Sequence, residues 1–210
     1  MTRSGLLAFC ATLSAGLLAC GGGGSTTPKN PLDLVPLDNE VSGWTVDQAH
    51  SKAPNARAMT GATEKQVEDL IDGGAEDFFQ EPNIPTLFLW QNYLNSTLAA
   101  APDGAMVKLY ILELPSADQA KGLYTQILTR PNYQRKTGMP DDWAATTPTV
   151  GEESRIQDTG AQWWVNFHKA VFYVEVLMEP SVGPPPDYAT GNADTKQEAM
   201  RFAQAIASRI

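Results

Sequence analysis

The chain has few of the side chains that enzyme and metal sites most often use. Only two cysteines and two histidines occur among its 210 residues. Cys10 lies inside the apolar N-terminal segment and Cys20 follows it directly, so no free thiol is expected in the folded part. Disulfides, thiolate metal sites and cysteine catalysis are therefore excluded there. His50 and His168 lie far apart in the sequence without metal-ligand spacing, and we expect each to be a solvated loop or turn residue.

Basic residues are also scarce. The chain has 15 Lys and Arg residues against 24 Asp and Glu, a formal net charge of −9. Nucleic-acid binding depends on Lys and Arg that neutralise phosphates, so a nucleic-acid partner is not expected. No Gly-x-Ser-x-Gly elbow, Walker loop or dinucleotide fingerprint occurs in the folded region, and we expect no cofactor and no metal.

The N-terminus is typical of a secretory signal peptide. Arg3 supplies one positive charge, and residues 5–19 are apolar or small. This run is shorter than the roughly 20 residues that a membrane-spanning helix needs. Leu17, Leu18, Ala19 and Cys20 resemble the lipobox of bacterial lipoproteins. The resemblance implies that Leu17, Leu18 and Ala19 are read by the signal peptidase, that cleavage follows Ala19, and that Cys20 carries the lipid. The alternative is an ordinary secreted protein cleaved near Ala19.

A flexible tether is predicted after the anchor. Residues 20–33 begin with Cys20 and the polyglycine run, and such a chain reaches about 20 Å. Without residues 1–19 the chain loses one basic residue and keeps 14 against 24 acidic ones, a formal charge of −10. An acidic domain of this kind has no polybasic patch, so membrane attachment depends on the lipid. Residue 21 is Gly rather than Asp, so outer-membrane residence is expected if the cell is Gram-negative.

Residues 34–210 are predicted to form one globular α+β domain. Capping-box patterns at 63–66 and 116–119 begin two helices, and a third follows from about 194. Strands are predicted at 41–46, 86–94, 106–114, 154–157, 162–167 and 171–178, with short hairpin links. The pattern favours a mainly antiparallel sheet of about five to six strands with about three helices packed on it.

Several short motifs resemble a bacterial domain-of-unknown-function family with many exported or lipid-anchored members. They are Gly43-Trp44, the segment 71–76, the join from 109–112 to 117–120, and the hairpin from 163–165 to 172–174. The layout is also loosely similar to the Mog1/PsbP-like lipoproteins. Neither resemblance implies a catalytic residue or transfers a function.

A first candidate site is the carboxylate cluster of Asp72, Glu76 and Asp77. Asp72 and Glu76 are four residues apart, which is the spacing of neighbours on one helical face, although Gly73 and Gly74 interrupt the segment. A bound cation or general-acid chemistry would require the carboxylates to be close together and partly buried. The alternative is a helix end followed by acidic residues at the start of the next helix.

A second candidate site is the segment 131–151, predicted to be a long loop. Arg135 and Lys136 place positive charge near Trp143 in an acidic chain, a combination suited to an anionic ligand or partner. The alternative is a solvated loop whose Trp143 covers a sheet edge. Trp163 and Trp164 are predicted to point to opposite faces of one strand, so that one of them is either exposed or covered by a helix. An exposed one would indicate a contact surface.

These patterns favour a membrane-anchored lipoprotein that acts as a non-enzymatic binding module at the cell envelope. Its partners would be the membrane, through the lipid, and an envelope protein or small ligand. The alternative is an acid-residue or metal-dependent envelope enzyme that uses Asp72, Glu76 and Asp77. A pocket that holds these carboxylates with perturbed pKa values would favour the enzyme.

Overall fold

The computed structural model describes residues 31–47, 57–95, 105–134, 142–159, 162–179 and 192–210. The predicted signal peptide, most of the tether and His50 lie outside these residues, as do Leu17, Leu18, Ala19, Cys20, Arg135 and Lys136. The strands are β1 (Thr45–Val46), β2 (Arg57–Thr60), β3 (Leu87–Asn95), β4 (Ala105–Glu113), β5 (Ala144–Ala145), β6 (Glu153–Asp158), β7 (Trp163–Lys169) and β8 (Phe172–Glu179). The helices are α1 (Glu64–Ile71), α2 (Ala117–Gln126) and α3 (Asn192–Ala207).

The predicted fold class is confirmed, because the described strands form one antiparallel sheet that is packed by three helices. The strand order is β1-β3-β4-β8-β7-β6-β5, and β2 also pairs with β3. The predicted number of five to six strands is wrong, since the sheet has eight. The strands missed were β2 and β5, which consist of Arg57–Thr60 and Ala144–Ala145. Neither is long enough to show the alternation of apolar and polar residues on which strand prediction depends.

Side-chain caps start the first two helices where the sequence predicts them. Thr63 accepts a hydrogen bond from the backbone N–H of Gln66, and the Gln66 side chain accepts one from the backbone N–H of Thr63, which completes a capping box. Ser116 accepts from the backbone N–H of Gln119, but the Gln119 amide donates to the carbonyl of Pro82 instead of closing a second box. The second cap therefore also fastens the segment before β3 to α2.

One face of the sheet is covered by α3 and by the segment that precedes β1. Phe202 of α3 packs edge-on against Trp44 and at a tilt against Tyr93 of β3, with ring centroids 5.2 Å and 4.9 Å apart. The indole N–H of Trp44 donates to Glu198 of α3 at 2.8 Å, and Tyr93 donates to the carbonyl of Pro36. Trp44 is fully buried. Apolar side chains of α3, of the segment before β1 and of the sheet fill this side, which we call the α3 face.

The opposite face is covered by α1 and α2. Val67 and Leu70 of α1 are buried here, with Leu123 of α2 and with Phe78, which follows α1. Phe78 lies 5.8 to 6.5 Å from the rings of Phe88, Tyr110 and Tyr173. Trp163 and Trp164 do point to opposite faces, with Trp163 in the α3-face core and Trp164 packed against the core of this α1/α2 face.

The segment 131–151 differs from the predicted long loop. Pro131–Tyr133 forms a 3-10 turn and Ala144–Ala145 forms the edge strand β5. The helical stretch after α2 ends at Arg130, because the residue before Pro131 is held in extended backbone angles. Across the described ranges, no helix combines the length and the apolar character that crossing a membrane requires.

Candidate functional site

A cleft of about 430 Å³ opens on the α1/α2 face, between the end of α1 and the turn at 131–133. Its lining combines aromatic side chains with two carboxylates from distant parts of the sequence. The lining residues are Ile71, Gly73, Gly74, Asp77, Phe78, Tyr110, Asn132, Tyr133, Thr159, Gln162, Trp164, Glu175 and Leu177. The β-sheet forms its floor through β4, β7 and β8.

A left-handed backbone turn after α1 forms one wall of the cleft. Asp72, Gly73 and Gly74 have φ values of 63°, 121° and 85°, which reverse the chain after the helix. Glycine adopts such angles at little cost, whereas Asp72 is one of the few residue types that tolerate them. The backbone N–H of Ala75 donates to the Glu68 carboxylate at 2.9 Å, which ties the turn back to α1. The next residues, including Asp77, are thereby directed towards the sheet.

The structure does not group the three predicted carboxylates. Asp72 and Glu76 are exposed, whereas Asp77 is only 3% exposed. One oxygen of Asp77 accepts from the Arg130 guanidinium at 2.9 Å, and the other accepts from the Asn132 amide at 2.8 Å. Within the described ranges, no set of three or more His, Cys, Asp or Glu side chains is arranged to hold a metal. Asp77 thus fixes the turn at 131–133 as the second wall of the cleft.

Glu175 is the carboxylate that the sheet places on the cleft floor. It lies on β8 opposite Tyr110 of β4 on one side and Asn166 of β7 on the other. Its side chain accepts hydrogen bonds from the hydroxyls of Tyr133 and Tyr173, each at 2.8 Å. Glu175 is 1% exposed, and this burial raises the pKa of its carboxyl from 4.5 to about 7, although both hydroxyls favour the charged form.

A chain of polar side chains continues from Glu175 across the sheet. Asn166 donates to the Tyr173 hydroxyl at 3.1 Å and accepts from Arg155 of β6 at 2.9 Å. Arg155 also donates to the backbone carbonyl of Tyr124, and its guanidinium lies 3.9 Å from the centre of the Tyr124 ring. The buried Arg155 is therefore held by α2 and β7, with Asn166 and Tyr173 between it and Glu175.

Trp143 supports the cleft from behind. Its indole N–H donates to the carbonyl of Tyr133 at 2.8 Å, and its ring stacks on Tyr133 at 6.3 Å between centroids. Trp164 contacts the same Tyr133 ring edge-on at 5.3 Å, and its indole N–H donates to Gln162. Trp143 is half-buried and lies beside the edge strand β5. Of the predicted loop site, Trp143 is therefore joined to the cleft, whereas Arg135 and Lys136 lie outside the described residues.

Two buried residues, His168 and Glu175, differ from what the sequence analysis predicts. His168 is not a solvated turn residue, because it lies within β7 at 2% exposure, next to Tyr124. Burial lowers the pKa of its imidazole, although Glu152 and Glu153 act in the opposite direction. Glu175 was missed altogether. Its signal was a single carboxylate inside the otherwise apolar run 171–178, and a buried charge in such a run needs polar partners.

Comparisons with known proteins yield little beyond these observations. No family model matches the chain, and no curated protein matches it. Among solved structures, the extracellular domain of PknH from Mycobacterium tuberculosis is similar with a TM-score of 0.44 and 13% sequence identity. The similarity covers 83% of this chain and 93% of that chain. A likeness at this level supports no inference about function.

Proposed function

We propose that the protein is an exported lipoprotein, anchored through Cys20, whose domain binds a small ligand in the cleft on the α1/α2 face without transforming it. The observation that carries this proposal is the cleft itself, with aromatic walls and one buried carboxylate on its floor. Its volume of about 430 Å³ falls within the usual range for small-ligand sites. Such sites are commonly lined by apolar and aromatic side chains with a few polar groups that orient the ligand.

The walls of the cleft are held in place before any ligand arrives. Asp77 joins the segment after α1 to the turn at 131–133, and Trp143 and Trp164 both pack against Tyr133 and against each other. Binding to a rigid, preformed site avoids the entropic cost of ordering side chains and loops. The preformed cleft therefore favours a binding module, because little of the binding free energy is lost to ordering the protein.

The cleft is tested with N-phenyl-1-naphthylamine, a neutral fluorescent probe. Saturable binding with one site per chain is expected for the wild-type domain. Ile71→Trp, which enlarges a half-buried side chain on the cleft wall, should weaken binding at least about tenfold, equivalent to about 1.4 kcal/mol. The matched control is Leu37→Trp, because Leu37 is 69% exposed and does not line the cleft. Equal losses in both variants, or no saturable binding by the wild type, would place the ligand site elsewhere.

The anchor is tested separately in cells. Cys20→Ala removes the thiol that receives the lipid, so the variant should move from the membrane fraction to the soluble fraction. Stable attachment needs at least two acyl chains, which only the lipidated cysteine supplies in this proposal. Equal membrane retention of the variant and the wild type would refute the anchor and leave the cleft proposal intact.

One observation favours a second function, an envelope enzyme with acid-base chemistry. A carboxyl with a pKa of about 7 in a cleft is suited to give and take protons near neutral pH. The group concerned is Glu175 and not the predicted cluster, since Asp77 is engaged by Arg130 and Asn132. If the wild type converts a bound ligand chemically and Glu175→Gln does not, the protein is an enzyme and the proposal of a binding module is wrong.

A further inference from the structure

We infer that the cleft is selective for an organic cation, an ammonium group on an apolar body, with the Glu175 carboxylate as its counter-ion. This inference rests on the proposed function and specifies the chemical class of the ligand. It follows from three features of the cleft: a buried carboxylate without a direct ion pair, several aromatic side chains in the lining, and the binding of Arg130 and Arg155 to other groups.

Glu175 forms no direct ion pair with a Lys or Arg of the described residues, and Arg155 acts on it only from beyond Asn166 and Tyr173, which lowers the pKa of its carboxyl less than burial raises it. Glu175 accepts hydrogen bonds from Tyr133 and Tyr173, but both donors are neutral hydroxyls. Arg130 is paired with Asp77 at 2.9 Å. Arg155 is bound to Asn166 and to a backbone carbonyl of α2. A buried carboxylate without an opposite charge is costly, so a ligand that brings a cation gains the energy of completing the pair.

The walls of the cleft suit the same ligand. Trp164, Tyr133, Tyr110 and Phe78 line the space around Glu175. Aromatic faces attract ammonium groups through the quadrupole of the ring, most strongly where water is excluded. Apolar burial on Leu177 and Ile71 accommodates the uncharged part of such a ligand.

The same geometry disfavours an anion. An anionic group in the cleft would lie near the Glu175 carboxylate, and Arg130, which among the described residues is the guanidinium that contacts a lining carboxylate, is already bound to Asp77. Like charges placed close together in a poorly hydrated site repel strongly. The expected order of affinity is therefore cation, then neutral molecule, then anion.

Three ligands of nearly equal size test this order: phenethylamine, 2-phenylethanol and 3-phenylpropionate. Binding to the wild-type domain is measured by calorimetry at pH 8, where Glu175 is mostly ionised. The amine should bind about five- to tenfold more tightly than the alcohol, since a charge-assisted hydrogen bond is roughly twice as strong as a neutral one. The anion should bind most weakly.

Glu175→Gln keeps the size of the side chain and its ability to accept from the tyrosines, but it removes the charge. In this variant the preference for the amine over the alcohol should fall to about threefold or less, while binding of the alcohol persists. Glu113→Gln on β4 is the matched control, because Glu113 is partly exposed and does not line the cleft. It should retain the wild-type order of affinity.

The outcomes separate the two proposals. Equal binding of the amine and the alcohol by the wild type would overturn the cation inference and leave the ligand-binding cleft standing. A preference for the amine that survives in Glu175→Gln would also overturn it, since the selectivity would then arise elsewhere. If the naphthylamine probe and all three phenyl ligands fail to bind, both proposals are wrong.

Discussion

Both faces of the sheet bury large apolar side chains, but they differ in the polar groups that lie among them. On the α3 face, Trp44, Tyr93 and Phe202 interlock, and their polar atoms are bound to neighbouring groups at the periphery. On the α1/α2 face, Glu175 and Arg155 are buried within the sheet itself, and a cleft remains open above Glu175. Both faces belong to the same strands, so the difference comes from alternate residues along each strand.

If the proposed function holds, this contrast divides stability and ligand recognition between the two faces of the sheet. Apolar burial on the α3 face stabilises the fold without geometric demands beyond close packing. Buried polar groups on the other face stabilise little by themselves, and they persist where a charge or a donor is needed at a defined position. Single substitutions on either face test this difference.

The largest effect on stability is expected from Phe202→Ala on the α3 face. This change removes a fully buried ring from between Trp44 and Tyr93, and truncations of this kind cost about 3 to 5 kcal/mol. Urea unfolding measures the loss. The folded variant should still bind the naphthylamine probe with wild-type affinity, because Phe202 does not line the cleft. A loss below about 1 kcal/mol would show that the face is loosely packed.

The second-largest effect is expected in the pH dependence of the free energy of unfolding, and it comes from Glu175 on the α1/α2 face. The pKa of Glu175 is raised from 4.5 to about 7 by burial, so the folded state favours its protonated form. Its contribution to stability is fully present below about pH 4.5 and is lost as the pH rises through 7, by about 3 kcal/mol at about 1.4 kcal/mol per pKa unit.

Denaturant unfolding of the wild type and of Glu175→Gln at pH 4.5 and pH 8 measures this loss. The wild type should lose about 3 kcal/mol relative to the variant over this interval, because glutamine does not titrate. The control, Glu113→Gln, should show a much smaller change relative to the wild type. A constant difference between the wild type and Glu175→Gln would mean that Glu175 titrates alike in the folded and unfolded states.

An intermediate effect is expected from Asp77→Ala. The substitution leaves Arg130 and the Asn132 amide without their acceptor, which costs about 1 to 3 kcal/mol. It should also weaken ligand binding, because the turn that carries Tyr133 loses its attachment. Glu76→Ala, at the exposed neighbouring carboxylate, should change stability by less than about 0.5 kcal/mol. Equal effects of the two substitutions would restore the predicted cluster as a functional unit.

The smallest effect is expected at the N-terminus of α1. Thr63→Ala removes the side chain of a complete capping box and should cost about 1 kcal/mol in the free energy of unfolding. Thr125→Ala on the exposed surface of α2 should change it by less than about 0.5 kcal/mol. If the two substitutions have the same effect, the cap does not stabilise the helix.

Local signals made the secondary structure predictable. The capping residues Thr63 and Ser116, the alternation in β4 and the helical spacing of Ala199, Phe202 and Ile206 depend on neighbours a few residues away. The short strands β2 and β5 lack such signals, because two to four residues cannot display a period. The lipobox resemblance and the function remain predictions.

The sequence alone determined the α+β class, the helix starts and the faces of Trp163 and Trp164, because these follow from local periodicity and capping. Only the tertiary structure decided where the polar groups meet. Glu175 faces Tyr110 and Asn166 because β8 pairs with β4 and β7, strands from distant parts of the chain. Asp77 meets Arg130 only after α1 and α2 have packed on the same face. Strand register and helix docking depend on long-range contacts, and these contacts create the cleft.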